Sequence, residues 1–143
     1  MSFLLDTNVI SEPMKPQPEP NVLRWLADVD EDRVFISVIT LAELRSGVER
    51  LAAGARPRRL ETWLLDELPL RFEGRILTID ASVADTCGRV VARCHALSRP
   101  IEAMDAFIAA TAEVYRLTLV TRDASHFQTA LKSVLNPWTP PPA

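Results

Sequence analysis

Glycine is scarce in this sequence, with only four glycines among 143 residues. The loops that cradle nucleotide phosphates place several glycines at fixed spacing, and neither a G-x-G-x-x-G nor a P-loop pattern occurs here. Nucleotide-binding modules of both kinds are therefore disfavoured, and any chemistry has to be carried by other side chains.

Cysteine and histidine are equally rare, at two residues each. Cys87 and Cys94 lie seven positions apart in one predicted helix, which separates them by about 10.5 Å along its axis. A disulfide needs Cα atoms within about 7 Å, so the two cannot pair while the helix persists. Neighbouring helix residues face different directions, which also argues against a metal site shared by Cys94 and His95. We predict two buried free thiols.

The sequence also has no long hydrophobic run. No apolar segment approaches the roughly 20 residues of a membrane span, and the first residues do not resemble a secretory leader. We therefore expect a mature, cytoplasmic protein with no membrane partner. Its formal charge of −3 provides no general attraction to nucleic acid, so such binding needs a local patch or a bound metal.

What the sequence does contain is an alternation of strand-like and helix-like segments. The predicted strands cover residues 2–5, 33–38, 75–79 and 118–121, with a possible fifth at 133–138. The predicted helices cover residues 21–29, 40–54, 58 to about 69, 81–97 and 102–117, with short helices possible at 9–12 and 127–131. The proline-rich segment 13–20 excludes regular structure.

Strands separated by helices imply parallel β-α-β units, and strands without polar alternation imply a sheet covered on both faces. A hydrophobic content of 48% in 143 residues suits one domain with one core. We therefore predict a single α/β domain over residues 1–143, a three-layer, doubly wound fold with a mostly parallel four- to five-stranded sheet. Residues 137–143 form a proline-rich tail, and we expect disorder from Pro137 to Pro142.

Four acidic residues fall at the edge of this sheet where ligands bind, beyond the carboxyl ends of the strands. Asp6 follows the first strand directly, and Asp123 follows the fourth. Glu43 lies in the first turn of the helix after the second strand, and Asp105 in the first turns of the helix that opens at Pro100. Because the strands run parallel, we expect all four carboxylates to converge.

Each acid also has a local structural explanation. Thr40 and Glu43 fit a helix capping box, and Asp105 could complement the positive end of its helix. Asp123 could cap the residues that follow it, and Asp6 could close an Asx turn. Four separate capping roles do not explain why all four acids lie at one edge.

Clustered carboxylates favour a bound cation. Two ionised carboxylates about 4 Å apart repel by about 4 kcal/mol at an effective dielectric constant near 20. A site of oxygen ligands, without cysteine or histidine, suits Mg²⁺ or Mn²⁺. Water made more acidic by such a metal can attack phosphorus, so the sequence indicates metal-assisted phosphodiester hydrolysis.

Four segments, in this order and at these separations, resemble the PIN-domain ribonucleases: "LLDTNVISE", "TLAELRSGVERL", "MDAFIAATA" and "LVTRDASHF". More narrowly they are similar to the VapC toxins of bacterial toxin–antitoxin pairs, including the FitB-like branch. The resemblance implies a Mg²⁺- or Mn²⁺-dependent endoribonuclease, usually a homodimer, held inactive by a cognate antitoxin protein. The acidic quartet of the family maps onto Asp6, Glu43, Asp105 and Asp123. Transfer RNA is a common substrate among similar proteins, and ribosomal RNA is another.

Residues close in sequence to the four acids would support the site, and two of them, Asn8 and Thr121, match polar positions of the family. Thr7, Asn8 and Thr121 would orient carboxylates and water, and Arg45 and Arg122 would contact phosphates unless they lie on a solvated face. Many relatives carry asparagine at position 123 and an acid three residues later, where this chain has Asp123 and His126. Asp123 would therefore complete the site or support a second ion, and His126 would contact substrate or solvent.

Other functions are compatible with parts of the sequence. A haloacid-dehalogenase-like phosphatase needs a second acid where Asn8 stands. A receiver-like signalling domain would use Asp80 as phosphoacceptor, although Asp80 also fits an N-cap. A non-catalytic interaction protein could keep the same fold. Cleavage through the RNA 2′-hydroxyl would need an acid–base pair, often two histidines, so we prefer metal-activated water leaving a 5′-phosphate and a 3′-hydroxyl.

Overall fold

The computed structural model describes residues 1–51, 54 and 58–140. Five parallel strands form one sheet in the order β3-β2-β1-β4-β5. The strands are β1 (Phe3–Leu5), β2 (Val34–Ser37), β3 (Ile76–Leu77), β4 (Thr118–Val120) and β5 (Val134–Leu135). The predicted three-layer, doubly wound α/β fold with a mostly parallel four- to five-stranded sheet is therefore confirmed, with five strands that are all parallel.

Helices connect these strands and cover both faces of the sheet. The helices are α1 (Thr7–Ser11), α2 (Pro20–Asp28), α3 (Val38–Glu49), α4 (Arg58–Thr62), α5 (Leu68–Arg71), α6 (Ala81–Ala96), α7 (Ala103–Tyr115) and α8 (Ala124–Phe127). The described residues also form short 3₁₀ turns at Glu12–Met14 and Glu31–Arg33 and a π-helical turn at Trp63–Glu67. Among the described helices, none is long and apolar enough to span a membrane.

Successive strand residues point to opposite faces, and each face builds its own core. Leu4 and Leu119, paired in register between β1 and β4, pack with helices α6 and α7. Leu5 and Val120, the next pair in register, pack on the other side with α1, α2 and α3. Both pairs are fully buried, which explains why the positions of β1 and β4 that face the two cores are apolar.

The helical segment that was predicted to end near Pro69 continues to Arg71. A proline inside an α-helix removes one backbone donor and crowds the preceding turn. Here the turn before Pro69 widens to π geometry, and the N–H of Leu68 donates to the carbonyl of Trp63, five residues earlier. The wider turn accommodates the proline, and the chain remains helical.

Two other helices have boundaries that differ from the sequence prediction. Helix α3 begins at Val38, because Ser37 caps it by accepting a hydrogen bond from the Ile39 N–H at 3.0 Å. It ends at Glu49, and the predicted extension to Gly54 passes through residues 52–53, which lie outside the described residues. The short helix predicted at 127–131 forms instead at Ala124–Phe127.

The beginning of the C-terminal tail is ordered, contrary to the prediction of disorder from Pro137. Pro137 is buried, and Trp138 is half-buried against the core beside α2. The Trp138 N–H donates to Asn136 Oδ1 at 2.9 Å, and its carbonyl accepts from Asn21 Nδ2 at 3.1 Å. The prediction for residues 141–143 lies outside the described residues. Cys87 and Cys94 are buried free thiols on α6, as predicted.

Candidate active site

The acidic residues lie where the order of the strands reverses. Strand β1 is central, with β2 on one side and β4 on the other, so its carboxyl end marks the topological switch point at which α/β proteins bind ligands. Asp6 is the first residue beyond β1, and Asp123 follows β4. Glu43 lies on α3, which leaves from β2.

Asp6 is the buried centre of the site, with 6% of its surface exposed. Its Oδ2 accepts a hydrogen bond from Thr121 Oγ1 at 2.8 Å, which joins the ends of β1 and β4. Its Oδ1 accepts from the Thr7 N–H at 2.8 Å, so Asp6 also caps helix α1. Asp6 therefore has a capping role in place of the expected Asx turn, and this role coexists with its place in the acidic cluster.

Glu43 reaches the same centre through Thr7. The Thr7 hydroxyl donates to Glu43 Oε1 at 2.6 Å and lies 3.5 Å from the Thr40 hydroxyl. The capping box proposed for Thr40 and Glu43 is wrong, because Ser37 is the N-cap and Thr40 lies inside the helix.

Asp123 is held by the second residue of α1. Asn8 Nδ2 donates to Asp123 Oδ2 at 3.2 Å, while Asn8 Oδ1 accepts from the Arg122 N–H at 3.2 Å. The Asp123 N–H donates to Thr121 Oγ1 at 3.0 Å. Asp123 begins helix α8 without a side-chain cap hydrogen bond, so its carboxylate is directed towards Asn8 instead.

Asp105 approaches from the first turn of α7. Its Oδ2 lies 3.4 Å from His126 Nε2 on α8, so His126 contacts an acid of the cluster. Asp105 also interacts electrostatically with Asp6. Glu43 lies in the second turn of α3 and not in the first turn as predicted, because the helix begins at Val38. The structure thus brings Glu43, Asp105 and Asp123 near enough to Asp6 to interact with it electrostatically.

The electrostatics of the cluster agree with this geometry. Burial is the main cause that raises the pKa of Asp6, with the charges of Glu43 and Asp123 adding to it and hydrogen bonds from Thr121 and Thr7 opposing it. Burial likewise raises the pKa of Asp105, followed by the charge of Asp6, while His126 acts in the opposite direction. These carboxylates therefore carry an electrostatic penalty when ionised that a cation would relieve.

The donor set fits a hard cation. All four acids offer oxygen ligands, and hydroxyl and amide groups of Thr7, Thr121 and Asn8 already orient three of them. Within residues 1–51, 54 and 58–140, no group of three or more His, Cys, Asp or Glu side chains is already spaced to enclose a metal. The match between this site and a hard cation accordingly rests on the chemistry of the oxygen ligands and on their charge.

The two arginines predicted to contact phosphate occupy different environments. Arg45 lies on α3, with Nη1 3.1 Å from Glu49 Oε1 and 3.8 Å from Glu61 Oε1. Arg122 is exposed beside Asp123, and its guanidinium lies over the Trp138 ring at 5.5 Å from the centroid. A phosphate contact for either arginine stays a prediction.

Two residues near the site had no clear signal in the sequence. Glu12 is buried at 3% exposure, although a glutamate before a proline-rich segment is ordinarily solvated. Trp138 lies in a segment whose proline content indicated disorder. Both depend on contacts between distant parts of the chain, which local patterns do not encode.

Asp80, the phosphoacceptor of the receiver-like alternative, has a simple structural role. Its Oδ1 accepts from the Val83 N–H at 2.9 Å, so it caps α6 as the sequence suggested. It follows β3, which is an edge strand and not one of the strands at the switch point.

Comparison with known proteins identifies the family. The PIN-domain family model matches residues 3–132. The chain is 42% identical to toxin FitB of Neisseria gonorrhoeae, over 95% of this chain and 98% of that protein. It is 35% identical to VapC ribonuclease Y4jK of Sinorhizobium fredii, over 96% and 99% respectively. The solved structure of FitAB bound to an IR36 DNA fragment matches with a TM-score of 0.92 and 38% identity, covering 98% of both chains. The chain therefore belongs to the PIN-domain family, among relatives named FitB and VapC toxins.

Proposed function

We propose that this protein is a metal-dependent endoribonuclease that acts as the toxin of a type II toxin–antitoxin pair. The observation that carries the proposal is the hydrogen-bonded network around Asp6, which joins Asp6, Glu43 and Asp123 at the switch point of the sheet, with Asp105 coupled to Asp6 through its charge. The similarity to proteins named toxin and ribonuclease over nearly the whole chain supports it.

The cofactor in this proposal is Mg²⁺, with Mn²⁺ as a substitute. Asp6, Glu43 and Asp105 would hold the main ion, and Asp123 would complete the site or support a second one. Bound there, the cation would neutralise phosphate charge and make water acidic enough to attack phosphorus.

The chain's own residues orient the reacting groups. Thr7 and Thr121 donate hydrogen bonds to Glu43 and Asp6, which leaves their remaining carboxylate lone pairs available. Asn8 directs Asp123 in the same way. Since the chain has only His95, on α6, and His126, attack by water is favoured over the 2′-hydroxyl route. The products would carry a 5′-phosphate and a 3′-hydroxyl.

The partners follow from the same proposal. The substrate is RNA, with transfer RNA as a candidate. The regulator is a cognate antitoxin, and the similarity to a chain in the solved structure of FitAB supports this partner. We further propose a homodimer working in the cytoplasm.

The decisive experiment is RNA cleavage by the purified protein with Mg²⁺, with Mn²⁺ and with excess chelator. We expect cleavage with either metal, background with chelator, and 5′-phosphate ends. Asp6→Asn should lower the rate of RNA cleavage by more than about 10- to 100-fold, which is the loss expected when a residue that only hydrogen-bonds to a metal ligand is removed. Asp85→Asn, which removes the same charge from an exposed i,i+4 pair with Arg89, is the matched control.

Asp6→Asn protein that still cleaves at the wild-type rate would remove Asp6 from the mechanism. Wild-type protein that never cleaves RNA would favour a non-catalytic interaction protein. Expression alone should arrest growth, and co-expression of the neighbouring small gene should relieve it. Unaffected growth would refute the toxin role while leaving the nuclease activity open to the biochemical assay.

A further inference from the structure

A cleft of about 410 Å³ lies beside the acidic cluster. One wall is the proline-rich segment between residues 12 and 20, and the other is formed by Arg122 and Trp138. We call it the connector cleft. Its volume falls within the about 300–1,000 Å³ typical of small-molecule sites.

The connector cleft is joined directly to the candidate active site. Arg122 immediately precedes Asp123, and Asn8 accepts from the Arg122 N–H while donating to Asp123 Oδ2, both at 3.2 Å. A group in the cleft is therefore adjacent to whatever the four acids bind.

The cation of Arg122 is held in place without a carboxylate in direct contact, although its charge acts on Glu12. Its guanidinium lies over the Trp138 ring, and Trp138 is fixed through main-chain hydrogen bonds with Asn136 and Asn21. In the part of the chain that the structure describes, no carboxylate lies within 4 Å of Arg122 nitrogens. An arginine placed this way, in a chain of net charge −3, is available to an anionic ligand.

The opposite wall is built on a buried carboxylate. Glu12 Oε1 lies 2.8 Å from Lys15 Nζ, and Glu12 Oε2 accepts from the Glu19 N–H at 3.1 Å. These contacts fold the proline-rich segment back over Glu12, which is 3% exposed, and hold the half-exposed Lys15 at the cleft. Two cations and an indole therefore border one cavity, together with Glu12, which is paired with Lys15, and Glu19, whose side chain caps α2.

We propose that the connector cleft binds one nucleotide of the RNA strand, next to the phosphate at the acidic cluster. Arg122 and Lys15 face its phosphate, and the guanidinium of Arg122 and the indole of Trp138 provide the surface on which its base stacks. Phosphate pairing with cations and stacking on aromatic and guanidinium planes are the usual contacts of single-stranded RNA. This inference rests on the proposed function, since it presumes an RNA substrate.

The test is direct binding of a short single-stranded RNA that carries 2-aminopurine at each position in turn. All binding measurements use protein that carries Asp6→Asn, with Mg²⁺ in the buffer. A gel verifies that the RNA stays intact. We expect fluorescence quenching at one position. Arg122→Gln should weaken binding about tenfold, within the range for loss of one stacked base. Lys15→Gln should lower the slope of log affinity against log salt by about one.

Arg89→Gln is the matched control, because it removes the same charge from the exposed face of α6. Trp138→Phe should keep the quenching and Trp138→Leu should lose it. Should Trp138→Leu not fold, Arg122→Gln carries the test, since its side chain is exposed.

The outcomes separate this inference from the proposed function. Equal RNA affinity for Arg122→Gln and Arg89→Gln overturns the cleft assignment, even if wild-type protein cleaves RNA. If Arg122→Gln binds a protein partner more weakly while its RNA affinity is unchanged, the cleft belongs to a polypeptide, and the nucleotide assignment is again overturned. Binding that depends on Arg122, in a protein that never cleaves, contradicts only the proposed function.

Discussion

The hydroxyl of Thr7 lies 2.6 Å from Glu43 Oε1 and donates a hydrogen bond to it, although the two residues are 36 positions apart. The main-chain N–H of the same threonine donates to Asp6 Oδ1 at 2.8 Å. One residue thus sets the relative position of two acids from different elements. In the proposed mechanism Thr7 is a positioning residue, since it would act only through Asp6 and Glu43.

Thr7→Val should reduce RNA cleavage by about 10- to 100-fold, because valine keeps the shape of threonine and removes the donor. Mn²⁺ affinity, measured by calorimetry, should fall with it, whereas the melting temperature should change little. Thr7→Ser restores the hydroxyl and is expected to restore both activity and affinity. Wild-type activity in Thr7→Val would show that the hydrogen bond to Glu43 has no part in the reaction.

Asp6→Asn should stabilise the metal-free protein at neutral pH. Folding raises the pKa of Asp6 above 3.8, mainly through burial, so the folded state holds this proton more tightly than the unfolded chain does. The resulting stability is present below pH 3.8 and is lost as the pH rises through the folded pKa. The neutral amide avoids that loss, and the Thr121 hydroxyl can rotate to accept from it.

Melting curves in chelator from pH 4 to pH 7 measure this effect. The difference in Tm between Asp6→Asn and wild type should be small near pH 4 and grow towards pH 7, with about 2–4 °C for each gain of about 1 kcal/mol. Asp85→Asn should show no such trend, because its carboxylate is exposed. Adding Mn²⁺ should raise the Tm of wild type more than that of Asp6→Asn. A constant difference across this pH range would argue against a raised pKa.

Glu12→Gln should have the opposite pH dependence. Burial acts to raise the pKa of Glu12, but the ion pair with Lys15, the hydrogen bond from the Glu19 N–H and the charge of Arg122 outweigh it, and the pKa lies below 4.5. The stabilisation from ionised Glu12 is therefore present above pH 4.5 and is lost as the pH falls through its folded pKa.

We expect Glu12→Gln to lower the Tm at pH 7 by an amount corresponding to about 1 kcal/mol, the usual contribution of a hydrogen bond. The deficit should shrink at acidic pH. Glu73→Gln, at an exposed glutamate beyond α5, is the control for loss of one negative charge. An unchanged Tm at pH 7 would mean that Glu12 does not anchor the proline-rich segment.

Much of the fold could be predicted from the sequence because it depends on local patterns. Apolar strand segments such as Leu4–Leu5 and Leu119–Val120 indicate a sheet covered on both faces, and the helices between them indicate parallel strands. Those two features place Asp6 and Asp123 at one edge before any contact is known. The convergence of the acids was therefore accessible from the chain alone.

Tertiary structure decided which partner each polar group takes. Glu43 bonds to Thr7 and not within its own helix, because Ser37 starts α3 and strand order places α1 beside it. Proline content suggested disorder for a tail in which Trp138 instead packs against the core and under Arg122. The sequence by itself determines the elements and the edge where the acids lie, since backbone preference and hydrophobic pattern are local. The hydrogen bonds that orient the acids join residues far apart in the chain, so only strand order and packing could select them.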